Sequence, residues 1–129
     1  ILGADTIVVV DTVVLGKPAD HADAKRMLGL LSGRSHTVIT AVCLINPAEG
    51  EGPVRSHMAR TDVEFARLSE QEIAWYVASG EPVDKAGAYA IQGLASRFVK
   101  RIDGSYSNVV GLPVALVYDL CRNAGLLVS

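Results

Sequence analysis

Five consecutive residues near the start of the chain, Thr6-Ile7-Val8-Val9-Val10, are all β-branched. Branching at Cβ crowds a helix and suits a pleated strand. An almost unbroken apolar run also leaves no face for water, so the segment reads as a strand covered on both sides and central in its sheet. Covering such a strand takes further layers. The 129 residues, 50% hydrophobic and 20% charged, suffice for one compact core and are too apolar for disorder. One domain over residues 1–129 is expected.

The flanking pattern supplies the layers. Asp11-Thr12 interrupts the run before Val13-Val14-Leu15, as a hairpin turn does, although Asp-Thr is a weaker turn signal than Asp-Gly. Asp20 is placed to cap a helix with Ala24, Met27, Leu28 and Leu31 on one face and an end near Gly33. Residues 36–45 read as a long strand and residues 54–68 as its antiparallel partner, with the polar, Gly/Pro-rich stretch 46–53 between them. Ser69 and Glu72 form a capping box ahead of Ile73, Trp75, Tyr76 and Val77, with Gly80 as the stop. Residues 97–102 read as another strand. Pro113 opens a last helix with Leu116, Val117, Leu120 and Cys121 inward and Gly125 at its end. Strands and helices mingle without strict β-α-β alternation. The expected class is therefore α/β, a mixed twisted sheet flanked by helices rather than a doubly wound parallel one.

Composition removes several functions. Twelve basic and fourteen acidic residues give a formal charge of -2, with no basic run or basic-aromatic stripe, which argues against a nucleic-acid polymer as partner. No apolar run approaches a membrane span, and a soluble protein is expected. Cys43 and Cys121 share no metal-type spacing and read as buried thiols in a reducing cytoplasm. His21, His36 and His57 are isolated from one another and from any acid pattern, so they suggest no zinc site. Neither a Gly-x-Ser-x-Gly elbow nor a Walker-type phosphate loop occurs. The chain opens on Ile1-Leu2-Gly3, which looks like the end of a strand with nothing before it, and the expectation is a fragment.

Two segments carry chemistry. Gly3-Ala4-Asp5-Thr6, followed by Leu15-Gly16-Lys17-Pro18, sets a carboxylate and an ammonium near a chain reversal, a pairing suited to phosphates. Asp84-Lys85-Ala86-Gly87-Ala88-Tyr89-Ala90-Ile91-Gln92-Gly93 adds an acid, a lysine and an amide among glycines that let backbone approach a ligand closely. Spacing alone leaves alternatives open. Asp5 reads either as a strand-end turn cap or as a catalyst. Lys17 is either solvated or aimed out of its loop by the extended geometry that Pro18 imposes on it. Gln92 either ties down its own loop or reads the edge of a base through its donor and acceptor.

Gly-Ala-Asp-Thr, Leu-Gly-Lys-Pro, Leu-Ser-Gly-Arg at 31–34, Asp-Lys-Ala-Gly-Ala-Tyr-Ala-Ile-Gln-Gly and Tyr-Ser-Asn-Val-Val-Gly-Leu-Pro at 106–113 together resemble the Maf family of nucleoside triphosphate pyrophosphatases, in the family's order and over nearly the whole chain. The Ala-Tyr-Ala-Ile-Gln-Gly form resembles the branch acting on dTTP and UTP rather than on 7-methyl-GTP. The resemblance implies a fold shared with inosine triphosphate pyrophosphatases. It also implies hydrolysis of the α–β phosphoanhydride to a monophosphate and pyrophosphate, a divalent metal (usually Mg²⁺), a cytoplasmic location and a homodimer. It casts Asp5 as catalytic acid and metal ligand, Lys17 as phosphate contact, Thr6 and Gln92 as base-selecting positions, and Asp84 and Lys85 as a further substrate-binding pair. The family's N-terminal segment, with its Ser/Arg-rich phosphate loop and a metal-holding glutamate, has no counterpart here. A nucleotide-binding regulator of septum formation without turnover is a second implied reading. A purine triphosphate pyrophosphatase is a third, and Ala90-Ile91-Gln92 fits it poorly.

Overall fold

The computed structural model describes residues 2–44 and 55–123. Five strands form one sheet, β1 Leu2–Val10, β2 Val13–Leu15, β3 Ser35–Leu44, β4 Arg55–Phe65 and β5 Val99–Asp103, in the order β2-β1-β3-β4-β5. The helices are α1 His21–Leu31, α2 Glu70–Ala78, α3 Tyr106–Val110 and α4 Val114–Asn123. The architecture is α/β, a sheet flanked by helices, and every strand pairing among the described residues is antiparallel. The expected loop at 46–53 and the helix end at Gly125 lie outside the described residues.

Alternation along the strands shows where the core lies. On β3, His36, Val38, Thr40, Val42 and Leu44 are buried while the residues between them are half-buried or exposed. Their same-face neighbours Val8 and Val10 on β1 and Thr61, Val63 and Phe65 on β4 are buried too. The Ala24, Met27, Leu28 and Leu31 stripe of α1 packs into this layer together with Tyr76 and Val77 of α2. At about 1.5–3 kcal/mol per fully buried large aliphatic side chain, that stripe is what holds α1 on the sheet. Both helix starts are as the sequence indicates: Asp20 accepts from Asp23 N–H at 2.7 Å, and Ser69 and Glu72 cap each other's backbone. Trp75 of α2 is instead 47% exposed, with the Arg97 guanidinium 4.6 Å above its ring.

Four strand expectations change. β1 is second from the edge and β3 is central. The two faces of β1 are not equally covered, since Val8 and Val10 are buried while Ile7 and Val9 are half-buried. And β1 begins at Leu2, so Gly3-Ala4-Asp5-Thr6 is extended strand rather than a reversal. The cause is the ladder to β3, which runs from Leu2↔Leu44 to Val9↔Thr37 and sets the backbone whatever the local break in hydrophobicity. The reversal comes later, at Asp11 (φ 47°) and Thr12 (φ 72°), both left-handed as a two-residue hairpin turn requires. The strand expected from residue 97 starts at Val99, after a 3₁₀ turn at Leu94–Phe98. Cys43 and Cys121 are free thiols, half-buried rather than buried. No helix of the described residues is long and apolar enough to cross a membrane.

His36 sits in an aromatic cluster, edge-on to Phe65 and Tyr89, with Nε2 2.7 Å from the Tyr89 hydroxyl. Burial holds its pKa down at about 4, against an ordinary 6.5, with the Asp62 charge opposing weakly. The folded state therefore keeps the ring neutral, while the unfolded chain takes up a proton below pH 6.5. Stability is full above pH 6.5 and falls as pH drops toward 4, by about 3 kcal/mol from this group. Urea denaturation between pH 7 and 4.5 should show that acid limb. His36→Phe should flatten it while costing about 1 kcal/mol at pH 7 for the lost Tyr89 hydrogen bond.

Candidate active site

Three segments distant in sequence are clamped together beside β1. The Gly87 N–H donates to Gly16 O at 3.1 Å, tying the loop that carries Lys17 to the loop that carries Asp84 and Lys85. Gly87 also lies flat on β1. It has φ 71°, and a Cβ there would stand 2.8 Å from Val8 Cγ2. Only glycine satisfies both conditions. The consequence is a cleft of about 320 Å³ lined by Asp5, Thr6, Lys17, Asp84, Lys85 and Gln92, with Tyr89, Ile91 and the Val109–Gly111 stretch as its apolar wall.

All six predicted site residues thus border one cavity. β2 pairs with β1 only at Val8, Val9 and Val10, so among the described residues Ala4 to Ile7 have β3 on one side and an open edge on the other. Strand alternation sends Asp5 and Thr6 to opposite faces, and the cleft meets both because it runs along that edge. Asp5 is exposed and, among the described residues, unpartnered. Lys17 is exposed and makes no ion pair there, and the Gln92 amide has no hydrogen-bond partner there, so it does not tie down its own loop. Asp84 and Lys85 face each other at 3.5 Å, an exposed and weak pair. The half-buried Thr6 hydroxyl is 2.9 Å from that of Thr40.

The glycines differ from expectation. Gly87 and Gly93 were expected to let backbone approach a ligand. Instead, they let it approach protein, Val8 in one case and the Glu81 carboxylate in the other. The Leu-Ser-Gly-Arg motif lies away from the cleft. Ser32 Oγ accepts from Leu68 N–H at 2.7 Å, and Arg34 pairs with Asp11 across the hairpin. Sequence reasoning also missed α3 and Asn108. The fully buried Asn108 amide nitrogen lies 3.2 Å from the Val38 and Ala59 carbonyls and 2.9 Å from Thr61 Oγ1. It thereby fixes Val109 to Gly111 against the sheet. Its sequence signals are its place in the Tyr-Ser-Asn-Val-Val-Gly-Leu-Pro motif, which gave it no role, and Ser105 three residues before it as the cap.

A family model described as Maf-like protein matches residues 1–124. The chain belongs to the Maf family. It is 57% identical over 125 residues to the dTTP/UTP pyrophosphatase of Syntrophomonas wolfei, covering 97% of this chain and 65% of that protein. It is 54% identical over 127 residues to the dTTP/UTP pyrophosphatase of Koribacter versatilis, covering 98% and 64%. A third dTTP/UTP pyrophosphatase, from Symbiobacterium thermophilum, is 58% identical over 125 residues, covering 97% and 62%. The chain thus spans just under two thirds of the length of these relatives.

Gly87→Ala incurs both a left-handed backbone and an overlap with Val8. It should lower stability by about 2–4 kcal/mol. Gly16→Ala, where a Cβ meets nothing within 4 Å, should stay within about 0.5 kcal/mol in the same thermal melts.

Proposed function

We propose that this Maf chain forms part of a nucleoside triphosphate pyrophosphatase that hydrolyses dTTP or UTP to the monophosphate and pyrophosphate. The observation that carries the reading is a single cleft bordered by a carboxylate, an ammonium and an amide with no protein partners among the described residues. A catalytic acid, a phosphate-binding cation and a base reader would each be left free in this way. The names of the relatives agree with it.

In this reading the oxygen of a water molecule bonds to the α-phosphorus, the bond to the bridging oxygen breaks, and pyrophosphate leaves. Asp5 orients the water and accepts its proton, while the Lys17 ammonium neutralises phosphate oxygens. The donor set suits a divalent cation of the Mg²⁺ type, which commonly binds through one or two carboxylates plus substrate phosphates. Asp5 is the free carboxylate of the cleft, whereas Asp84 is engaged by Lys85. Such a cation, bound to Asp5 and the phosphates, would supply charge neutralisation at the anhydride. Lys85 and Asp84, on the same lining, are assigned to the phosphate tail. Gln92 presents its carbonyl to N3–H and its amide to O4 of uracil or thymine, with Thr6 of the same lining as the second base-selecting position. Cytosine offers the reverse pattern, so a wrong base leaves polar groups unpaired. A cytoplasmic homodimer is part of the proposal, and the two free thiols fit a reducing compartment.

The test is pyrophosphate release from a panel of nucleoside triphosphates with Mg²⁺, measured on residues 1–129 and on a form carried to the relatives' length. UTP and dTTP should turn over well ahead of CTP, and equal rates on UTP and CTP would remove Gln92 from base selection. Asp5→Asn should reduce turnover at least about 100-fold with an unchanged circular dichroism spectrum. Retained turnover refutes the assignment. A nucleotide that raises the melting temperature with no product formed would mark a binding regulator instead.

A further inference from the structure

Between α2 and the cleft, four polar groups form a closed bracket around Gln92. The Ala90 N–H donates to the Tyr76 hydroxyl oxygen at 3.0 Å, and that hydroxyl donates to Glu81 Oε1 at 2.7 Å. The other carboxylate oxygen, Oε2, accepts from Leu94 N–H at 3.0 Å. The two anchored amides lie two residues before and two residues after Gln92. Inside the bracket Gly93 N–H donates to Ala90 O at 3.1 Å, and the Gly93 Cα rests so close on the Glu81 carboxylate that a methyl group there would overlap its oxygens. The segment is thus pinned at both ends and pressed down in the middle, and the one side chain left exposed and unpartnered within it is that of Gln92.

None of these contacts involves Gln92 itself, and Tyr76 is fully buried in the core layer. The anchors therefore act at a distance from any ligand, through the backbone that carries the amide. We propose that Tyr76 and Glu81 are positioning residues for base selection, holding residues 90–94 so that the Gln92 amide is presented at a fixed angle to the pyrimidine edge. The inference rests on the reading of Gln92 given above. Discrimination between a donor–acceptor pattern and its reverse depends on orientation, because a loop free to rotate can turn either end of an amide toward the base. A fixed loop bears that ordering cost in advance.

The experiment measures kcat/KM for UTP and for CTP in the full-length protein, for the wild type, Gln92→Ala, Tyr76→Phe, Glu81→Ala and Glu81→Gln, together with each melting temperature. Tyr76→Phe keeps the buried ring and removes only the hydroxyl, so it remains informative if Glu81→Ala fails to fold. The UTP-to-CTP ratio should fall at least tenfold in Tyr76→Phe and Glu81→Ala, chiefly through the UTP constant. Glu81→Gln, which keeps an acceptor for Leu94 and a polar partner for Tyr76, should retain most of the preference. A bracket that only stabilised the fold would lower the melting temperature and leave the ratio unchanged, and that result overturns the positioning role. If the wild type itself shows no preference, or Gln92→Ala keeps it, the reading of Gln92 fails and the inference falls with it. Loss of preference in Gln92→Ala alone, with Tyr76→Phe unchanged, rejects the bracket and leaves Gln92 standing.

Discussion

The contact of Gly87 with β1 is the constraint from which the cleft follows. One backbone unit meets Val8 on its flat side and donates its N–H to Gly16. Asp5 and Thr6 are fixed by the same strand as Val8, Lys17 follows Gly16 directly, and Asp84, Lys85 and Gln92 lie on the loop to which Gly87 belongs. A loop about seventy residues further along the chain is thereby set at van der Waals distance from β1 and at hydrogen-bond distance from the Gly16 loop. Loop closure over such separations costs entropy, and here it is offset by the packing of α1 and α2 beneath the loops rather than by the polar contacts themselves.

On the other wall the same task falls to an amide. α3 has five residues, too few for a helix to hold itself together by its own hydrogen bonds. Asn108 compensates by reaching carbonyls of two adjacent strands, and Thr40 links its backbone oxygen, at 3.5 Å, to the Thr6 hydroxyl at the cleft. A buried polar side chain with several partners is stabilising only while all of them are in place. The wall of the cleft and the register of β3 against β4 are accordingly coupled, and a slip in one would orphan polar groups in the other.

Local signals on the sequence proved reliable where the structure is locally determined. The Asp20 cap, the Ser69–Glu72 box, the inward face of α1 and the Asp11-Thr12 turn all depend on residues a few positions apart, so their chemistry is written in order along the chain. The six cleft residues were legible only through the motif resemblance, since spacing left Asp5, Lys17 and Gln92 each with a structural alternative. What remained hidden depends on partners distant in sequence. That Asp5 lies in a strand is decided by Ala41, its ladder neighbour. The use of Gly93 is decided by Glu81, and the role of Asn108 by Val38 and Ala59. Glycines in a loop look alike on the page whether they admit a ligand or another part of the protein, and no periodicity separates the two.

The charges of the cleft lining cancel. Asp5 and Asp84 are balanced by Lys17 and Lys85, so the described lining carries no net positive charge to meet a triphosphate. The remaining cation of these motifs, Arg34, is paired with Asp11, and Arg97 lies over the face of Trp75. A polyanion bound here must draw further neutralisation from a cation that accompanies it, which is the situation in which one free carboxylate at the open edge of β1 is most useful. The same lining carries the Gln92 amide, the Thr6 hydroxyl and apolar surface from Tyr89, Ile91 and Val109, a setting in which a neutral heterocycle would lose little on leaving water and a mismatched hydrogen bond would cost most. In the proposed reading, selectivity for the base would then rest on the loops, and affinity for the phosphates on the cation that the substrate brings with it.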